Sequence, residues 1–349
     1  MPTLPRVGDD RVDFVIVGTA RSGTTLLQRL ASELPGVCVP PETHVLSHLA
    51  PGLLGRRSLP LGRDELGREL GAYLALPCCR GLDLDVASVV DRLGGRCDSV
   101  LDLLAAVAAQ LAGPCRLLGE KTPEHLLWWR PLTDAWPHLK VVAVVRDPRA
   151  VVASALEVPF GMDHVDVLTE RWLADQATLA ACRRHLTPDR MLVLRYEDVV
   201  VDPEAARRQV AELLGAELSG AELSGSELPG AELSGAELPG SGVAAGPARR
   251  GPGPAPRLYH DWETWKLRVN EPVTTARAAR WEEVLTPRQA VWIAATCRPA
   301  MHELGYEVVP GPPPRGVGGP GGALRRRRYR RGRRRLEALA AGAGPRHGP

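Results

Sequence analysis

Aromatic residues are scarce in this chain: Phe, Tyr and Trp make up 4% of its 349 residues. No stretch approaches the ~18 consecutive apolar residues of a membrane-crossing helix, so no membrane span is expected. A secretory leader is not expected either, because Met1 is followed by Pro-rich and acidic sequence and the apolar run Phe14–Val17 is too short for one. The seven cysteines, at positions 38, 78, 79, 97, 115, 182 and 297, include no Cys-x-x-Cys pair. Neither a disulfide framework nor a metal site is expected from them, and a reducing cytoplasm is the default compartment.

What is present suffices for a globular enzyme. Apolar residues reach 44%, enough for a real core and too many for wholesale disorder. At roughly 100–200 residues per domain the length allows one large domain or two modest ones. The net charge of +3 is uneven: residues 325–335 read RRRRYRRGRRR, and setting aside those nine arginines leaves −6 for everything else. The basic tail therefore says nothing about the charge of an active site in the body.

Glycine (36) and proline (32) are concentrated in two places. Residues 216–240 are five pentads, AELSG-AELSG-SELPG-AELSG-AELPG, continued to 257 by Gly, Pro, Ala and Arg. A stacked β-solenoid is one reading of such a period. Five units hold little more than one coil without caps, so 216–257 reads as a low-complexity insertion. The second place is 311–324, ahead of the arginine run. The expected organisation is an extension over 1–11, a single domain over 12–310 interrupted at 216–257, and a disordered Gly/Pro/Arg-rich tail over 311–349. That tail is read as a solvated charge run, available to acidic partners or, without sequence preference, to nucleic acid.

Elsewhere strands and helices alternate. Short apolar runs at Phe14–Val17, Leu117–Gly119, Val141–Val145 and Met191–Leu194 are each followed by a loop or helix signal, with Pro148, Pro203 and Pro287 suited to first helical turns. Residues 50–115 read as mostly helical, and a late helix is expected within Trp281–Gly305. Continuous apolar strands separated by helices imply an α/β, P-loop-type three-layer fold with a mostly parallel central sheet covered on both faces.

Four segments carry chemistry. The first strand runs into Gly18-Thr19-Ala20-Arg21-Ser22-Gly23-Thr24-Thr25 and then a helix, a turn whose backbone N–H groups and positive helix end attract an oxyanion. The spacing nearly matches the nucleotide-triphosphatase loop, but Thr24 stands where that loop has its lysine, and Arg21 is the available cation. In VVAVVRDPRAVVASAL, residues 141–156, a buried strand delivers Arg146 to its C-terminal edge with Ser154 two turns further on. Both could reach one phosphate, though a strand-end ion pair of Arg146 with Asp147 or Asp198 accounts equally for the segment read alone. Glu42, in Pro41-Glu42-Thr43-His44, could take a proton from a hydroxyl or be a solvated loop carboxylate. Lys121, in Gly119-Glu120-Lys121-Thr122-Pro123, is a candidate cation for a charged transition state or a surface lysine.

Taken together and in order, the loop, PETH, GEKTPEH, VVRDPRAVVAS and LRYEDVVVDPE resemble the sulfotransferases that use 3′-phosphoadenosine 5′-phosphosulfate (PAPS), in the bacterial branch that shares motifs with tyrosylprotein sulfotransferases. The resemblance covers roughly 12–214 and resumes at 258–308; Ala20 departs from the usual proline. It implies sulfuryl transfer from PAPS, with adenosine 3′,5′-bisphosphate as product, no metal, and a hydroxylated small molecule, sugar or peptide (or an amine) as acceptor. Residue by residue, it implies that Arg21, Ser22, Gly23, Thr24 and Thr25 hold the 5′-phosphosulfate, Arg146 and Ser154 the 3′-phosphate, and Tyr196 the adenine side. Glu42 would be the general base, with His44 or His125 as alternatives, and Lys121 and Arg21 would meet the transferring group. Lys266, Arg268 and Thr274 fall in a segment expected to close over the donor. The competing reading is a P-loop small-molecule kinase or nucleotide-binding protein using ATP and Mg²⁺.

Overall fold

The computed structural model describes residues 11–158, 164–218, 258–259, 263, 266, 271, 273–308, 310–319 and 321–343. The pentads from Ser219 onward, the linker to 257 and Arg268 lie outside the described residues. The strands are β1 (Phe14–Gly18), β2 (Val37–Cys38), β3 (Leu61–Gly62), β4 (Arg96–Cys97), β5 (Leu117–Lys121), β6 (Lys140–Val145) and β7 (Met191–Arg195). The α-helices are α1 (Thr24–Ser32), α2 (Ala50–Arg56), α3 (Arg63–Leu74), α4 (Val86–Arg92), α5 (Val100–Ala112), α6 (Trp129–Ala135), α7 (Pro148–Leu156), α8 (Val165–His185), α9 (Tyr196–Val201), α10 (Pro203–Leu214), α11 (Trp281–Val284), α12 (Pro287–Glu303) and α13 (Gly322–Ala341).

Five strands form a parallel sheet in the order β2-β5-β1-β6-β7, and β3 with β4 makes a separate antiparallel pair. Side chains of a strand alternate between faces, and here both faces are dry. Val15, Val17, Val141, Ala143 and Val145 join one core cluster with α5, while Phe14, Ile16, Val142 and Val144 join another with α1 and α10. A third cluster fills the space between α7, α8 and α12. This is why the strands read as unbroken apolar runs, and the doubly covered parallel sheet expected from them is observed. Pro148, Pro203 and Pro287 open α7, α10 and α12, each behind a cap whose side chain accepts a backbone N–H: Asp147, Asp202 and Thr286.

The registers bring the strand ends to one edge. Ile16 lies opposite Lys121, Gly18 opposite Val144, and Val145 opposite Arg195. The loop after β1, Lys121, Arg146 and Tyr196 therefore emerge side by side at the C-terminal edge, around the central strand where the chain winds off in both directions.

The longest helix among the described residues, α8, carries buried residues on most of its circumference because α7, α12 and α13 all pack on it, so it shows no clean apolar stripe. The arginine run, expected as a disordered solvated tail, is the 20-residue helix α13. Its charges do not simply repel one another, because α8 supplies an acidic ladder. Arg325 and Arg326 meet Asp166, Arg330 meets both oxygens of Glu170 at 2.6 and 2.8 Å, and Arg333 meets Asp175 at 2.5 Å. Arg333 also donates to Thr178 Oγ1 and to the carbonyl of Ala174. Those acidic partners sit some 160 positions earlier in the chain, where no local reading connects them to the arginines. No helix among the described residues is long and apolar enough to cross a membrane.

The buried Arg333–Asp175 pair generates a stability prediction. Arg333→Leu leaves the buried Asp175 carboxylate with the longer, 4.0 Å contact to Arg171 and should cost about 3 kcal/mol in urea unfolding, with Asp175→Leu/Arg333→Leu recovering most of it. A single variant as stable as the parent would show that the helix is not held this way.

Candidate active site

The turn between β1 and α1 is built on two left-handed residues, Arg21 (φ 78°) and Gly23 (φ 100°). At Gly23 the requirement for glycine is double: a Cβ would stand 2.4 Å from Cδ2 of Tyr196 as well as strain the backbone. No side chain caps α1, so its first-turn N–H groups are left for another acceptor beside the cavity that Gly23, Thr24 and Thr25 line. The Ser22 hydroxyl is fully buried and has no hydrogen-bond partner among the described residues. A buried polar group left unsatisfied is costly, and a loop anion would satisfy this one.

Arg146 is held from three sides. It donates to the carbonyl of Arg21 at 3.0 Å and to that of Arg277 at 2.7 Å, and its guanidinium stacks 4.2 Å from the centre of the Tyr196 ring. Its Nε is buried without a partner among the described residues. Trp172 donates to the Arg146 carbonyl at 3.0 Å and so fixes its backbone. The arginine is thus no strand-end ion pair: its hydrogen bonds go to carbonyls, while Asp147 pairs with Arg149 at 2.5 Å. Ser154, expected beside Arg146, instead accepts from Nε of Arg21 at 3.3 Å. Burial is the first cause lowering the pKa of both Arg21 and Arg146; the charge of Arg146 adds to it at Arg21, and that of Arg277 at both. Two guanidinium groups crowded together in this way favour an anion between or beside them.

On the other side of the loop lies a cluster that the sequence only half disclosed. Oε1 of Glu42 is 2.5 Å from Nζ of Lys121 and 2.5 Å from Nζ of Lys266, and Lys266 is also 2.5 Å from Glu263. His44 Nε2 stands 3.4 Å from the second oxygen of Glu42. Glu42 is 7% exposed and Lys121 0%, so neither is the solvated surface group its local sequence allowed. Burial acts to raise the Glu42 pKa, but Lys121, Lys266 and His44 outweigh it and hold the carboxyl well below its usual range. Burial, aided by the charge of Lys266, lowers Lys121 to about 8. Lys266 goes the other way: two carboxylates overcome its desolvation.

A cavity of about 1220 Å³ joins these groups. Arg21, Arg146, Ser154, Tyr196, Thr274 and Trp281 line one part of it; Glu42 and Lys266 stand in its wall; His44, Leu127, Trp128 and Leu336 of α13 are among the residues lining the rest. Lys121 lies behind Glu42 and Thr25, with its Nζ 3.5 Å from Thr25 Oγ1, and is not on the wall itself. His125 is not brought to the site. It is fully buried with Nδ1 2.8 Å from Glu120, and its Nε2 accepts the N–H of Leu46, so both ring nitrogens are committed. Glu120 is likewise structural, accepting from Thr43 and Thr122. Sequence reasoning missed Glu263 and the direct contact of Lys266 with Glu42. Only the position of Lys266 in the late segment pointed toward the site. Among the described residues no group of three or more His, Cys, Asp or Glu is placed to hold a metal ion.

The model of the sulfotransferase family matches residues 13–220. Protein-tyrosine sulfotransferase 1 of Danio rerio is 28% identical over 206 residues, covering 57% of this chain and 52% of its own length. Protein-tyrosine sulfotransferase 2 of Gallus gallus is 28% identical over 207 residues, covering 57% and 50%. The chain spans about half the length of these curated relatives. The sulfotransferase domain from the curacin biosynthetic pathway superposes with a TM-score of 0.52 at 17% identity, over 86% of this chain and 99% of that one. The corresponding domain of the Synechococcus PCC 7002 olefin synthase gives 0.53 at 19%, over 85% and 95%. At these identities the structural likeness is one of fold.

The loop geometry predicts the effect of Gly23→Ala. Left-handed strain and the collision with Tyr196 should destabilise the protein by about 2 kcal/mol. Because Tyr196 supports Arg146, the variant should also lose the rise in melting temperature that millimolar sulfate gives the parent. Retention of that rise would show that the loop does not bind an anion.

Proposed function

Because the chain belongs to the sulfotransferase family, we propose that it transfers a sulfuryl group from PAPS to a hydroxyl or amine acceptor, with Glu42 as general base. The observation that carries this reading is that a carboxylate paired with two lysines and an oxyanion loop flanked by two arginines border one cavity. The residues fit a nucleotide with two anionic ends. Ser22, Gly23, Thr24, Thr25 and Arg21 would hold the 5′-phosphosulfate, where the unpartnered Ser22 hydroxyl and the free first-turn amides supply donors. Arg146, with its unpartnered Nε, and Ser154 would hold the 3′-phosphate, and Tyr196 would border the adenine. Since Ser154 bonds to Arg21, the two anion subsites share that hydroxyl.

The donor supplies an electrophilic sulfur with a phosphate as leaving group. The chain supplies charge and position, as in phosphoryl transfer. A carboxylate clamped by two lysines is a poor base, so the ion pairs of Glu42 pose a chemical question whose answer lies in shared lysines. Negative charge arriving beside Lys266 and Lys121 draws both cations away from Glu42. Its pKa then climbs, and the carboxylate becomes able to accept the proton of the attacking hydroxyl. Lys266 stands on the wall and Lys121 behind it, so the two would meet developing charge on the sulfuryl oxygens together with Arg21. His44, 3.4 Å from Glu42, orients that carboxylate.

The ATP-dependent alternative lacks its lysine in the loop, where Thr24 stands; the lysine nearest the loop, Lys121, comes from β5 and is engaged with Glu42. The acceptor is narrowed only by analogy. The curated relatives are named for protein tyrosine, so a tyrosine phenol in a polypeptide is the first acceptor to assay, beside hydroxylated small molecules and sugars.

Adenosine 3′,5′-bisphosphate should raise the melting temperature more than ATP with Mg²⁺, and the reverse order would favour the kinase. With labelled PAPS and an acceptor panel, Glu42→Gln should lower kcat by ~10²–10⁴-fold while calorimetry still detects the bisphosphate. Near-normal turnover would remove Glu42 as the base. Lys121 carries its charge below about pH 8 and loses it above. The value of kcat/KM for PAPS should accordingly fall on the alkaline side of that pH, and Lys121→Gln should lower the plateau and abolish that limb.

A further inference from the structure

A cluster of soft nucleophiles lies on the same cavity wall, in a segment that sulfuryl transfer does not use. After α3 the chain makes one 3₁₀ turn over Pro77–Cys79. In extended backbone, neighbouring side chains point to opposite faces. This turn instead brings the Sγ atoms of Cys78 and Cys79 to 3.6 Å. Cys79 is fully buried, next to the buried ring of Tyr73, whereas Cys78 is half-buried and lines the cavity. His48 also lines the cavity, and it and Cys78 act on each other electrostatically, the sulfur raising the His48 pKa and His48 lowering that of Cys78. The His48 and His44 rings meet edge to face with centroids 5.4 Å apart, and His44 touches Glu42. A line of side chains thus runs from Cys79 through Cys78, His48 and His44 to Glu42.

The two sulfurs are electrostatically unlike. The hydrogen bond from Cys79, and then His48, hold the Cys78 thiol well below its ordinary range against the opposing effect of burial. The same contact pushes Cys79 up. A thiolate next to a protonated thiol is the arrangement of an attacking and a resolving sulfur. Cys97, Cys182 and Cys297 are buried and pushed up by desolvation. Cys38 and Cys115 show the same split, their contact lowering Cys38 and pushing Cys115 up, but they lie off the cavity.

We propose that Cys78 and Cys79 form a peroxide-sensitive dithiol on the cavity wall, with Cys78 as the attacking sulfur and Cys79 as the resolving one. The Cys78 thiolate attacks one oxygen of hydrogen peroxide. An S–O bond forms, the O–O bond breaks, and the other oxygen leaves as hydroxide, which takes up a proton to become water. The Cys79 thiol then attacks the sulfenic sulfur of Cys78; the S–S bond forms and the remaining oxygen leaves as a second water. Two thiols and one peroxide become one disulfide and two waters, with the sulfurs oxidised and the peroxide reduced. The thiolate that faces His48 is lost from the wall in the process. This site stands on the sulfur geometry alone and is independent of the sulfuryl-transfer reading.

The experiment uses the full-length chain, exposed briefly to hydrogen peroxide, quenched, digested and read by mass spectrometry. The peptide carrying Cys78 and Cys79 should lose two hydrogens, regain them with dithiothreitol, and react roughly tenfold faster than Cys38. In Cys79→Ser the reaction should stop at a Cys78 sulfenic acid that dimedone captures, whereas Cys78→Ser should leave Cys79 unreacted. Phenylarsine oxide, which bridges close thiol pairs, supplies a readout on the unaltered chain: one equivalent should bind at Cys78–Cys79. Preferential oxidation at Cys38 or Cys115, arsenical bound elsewhere, or a Cys78 sulfenic acid accumulating in the parent with no disulfide would each overturn the assignment.

Discussion

The buried contact of Glu42 with Lys121 and Lys266 is the constraint around which the site is organised. A carboxylate withdrawn from water is costly unless cations replace its hydration. Here the replacements come from β5 and from the late segment near residue 266, parts of the chain 79 and 224 positions away. The contact therefore ties the start of the domain to its end and holds the late segment against the cavity. It also leaves the site in a resting state: two lysines occupied by a carboxylate are available to an incoming anion only by exchange.

The cations are not equivalent, and their differences follow from depth. Lys121 has no exposure and gives up its proton most readily, because burial, aided by the charge of Lys266, outweighs the pull of Glu42 and Glu263. Lys266 has two carboxylates and keeps its proton. Arg146 is locked by two carbonyls and a tyrosine ring, which preserves its position at the expense of free donors. The site thus combines a buried carboxylate–lysine cluster with an arginine fixed by carbonyls and an aromatic ring.

The C-terminal helix shows the same electrostatic logic at larger scale. Arginines that would repel one another in an isolated peptide are distributed between the acidic face of α8 and solvent, and Leu336 on the same helix becomes part of the cavity wall. A segment whose composition argues for disorder is ordered by partners distant in sequence. The body's net negative charge, visible once the arginine run is set aside, was the one trace of those partners in the composition, but it carried no address.

The sequence by itself determined the parallel sheet, because strands buried on both faces must be apolar throughout, and it located the turn from β1 into α1, because Gly18, Gly23 and the start of the helix lie close together in the chain. It also named Arg21, Glu42, Lys121 and Arg146, residues next to strand ends or motif boundaries whose position is a local property. Tertiary structure decided the rest. Whether His125 faces the cavity or Glu120, whether Ser154 serves Arg21 or Arg146, which lysine shares Glu42, and whether nine arginines lie loose or docked all depend on where distant backbone segments meet. Spacing along a chain encodes which face of an element a residue occupies; it does not encode what the opposite wall presents to that face.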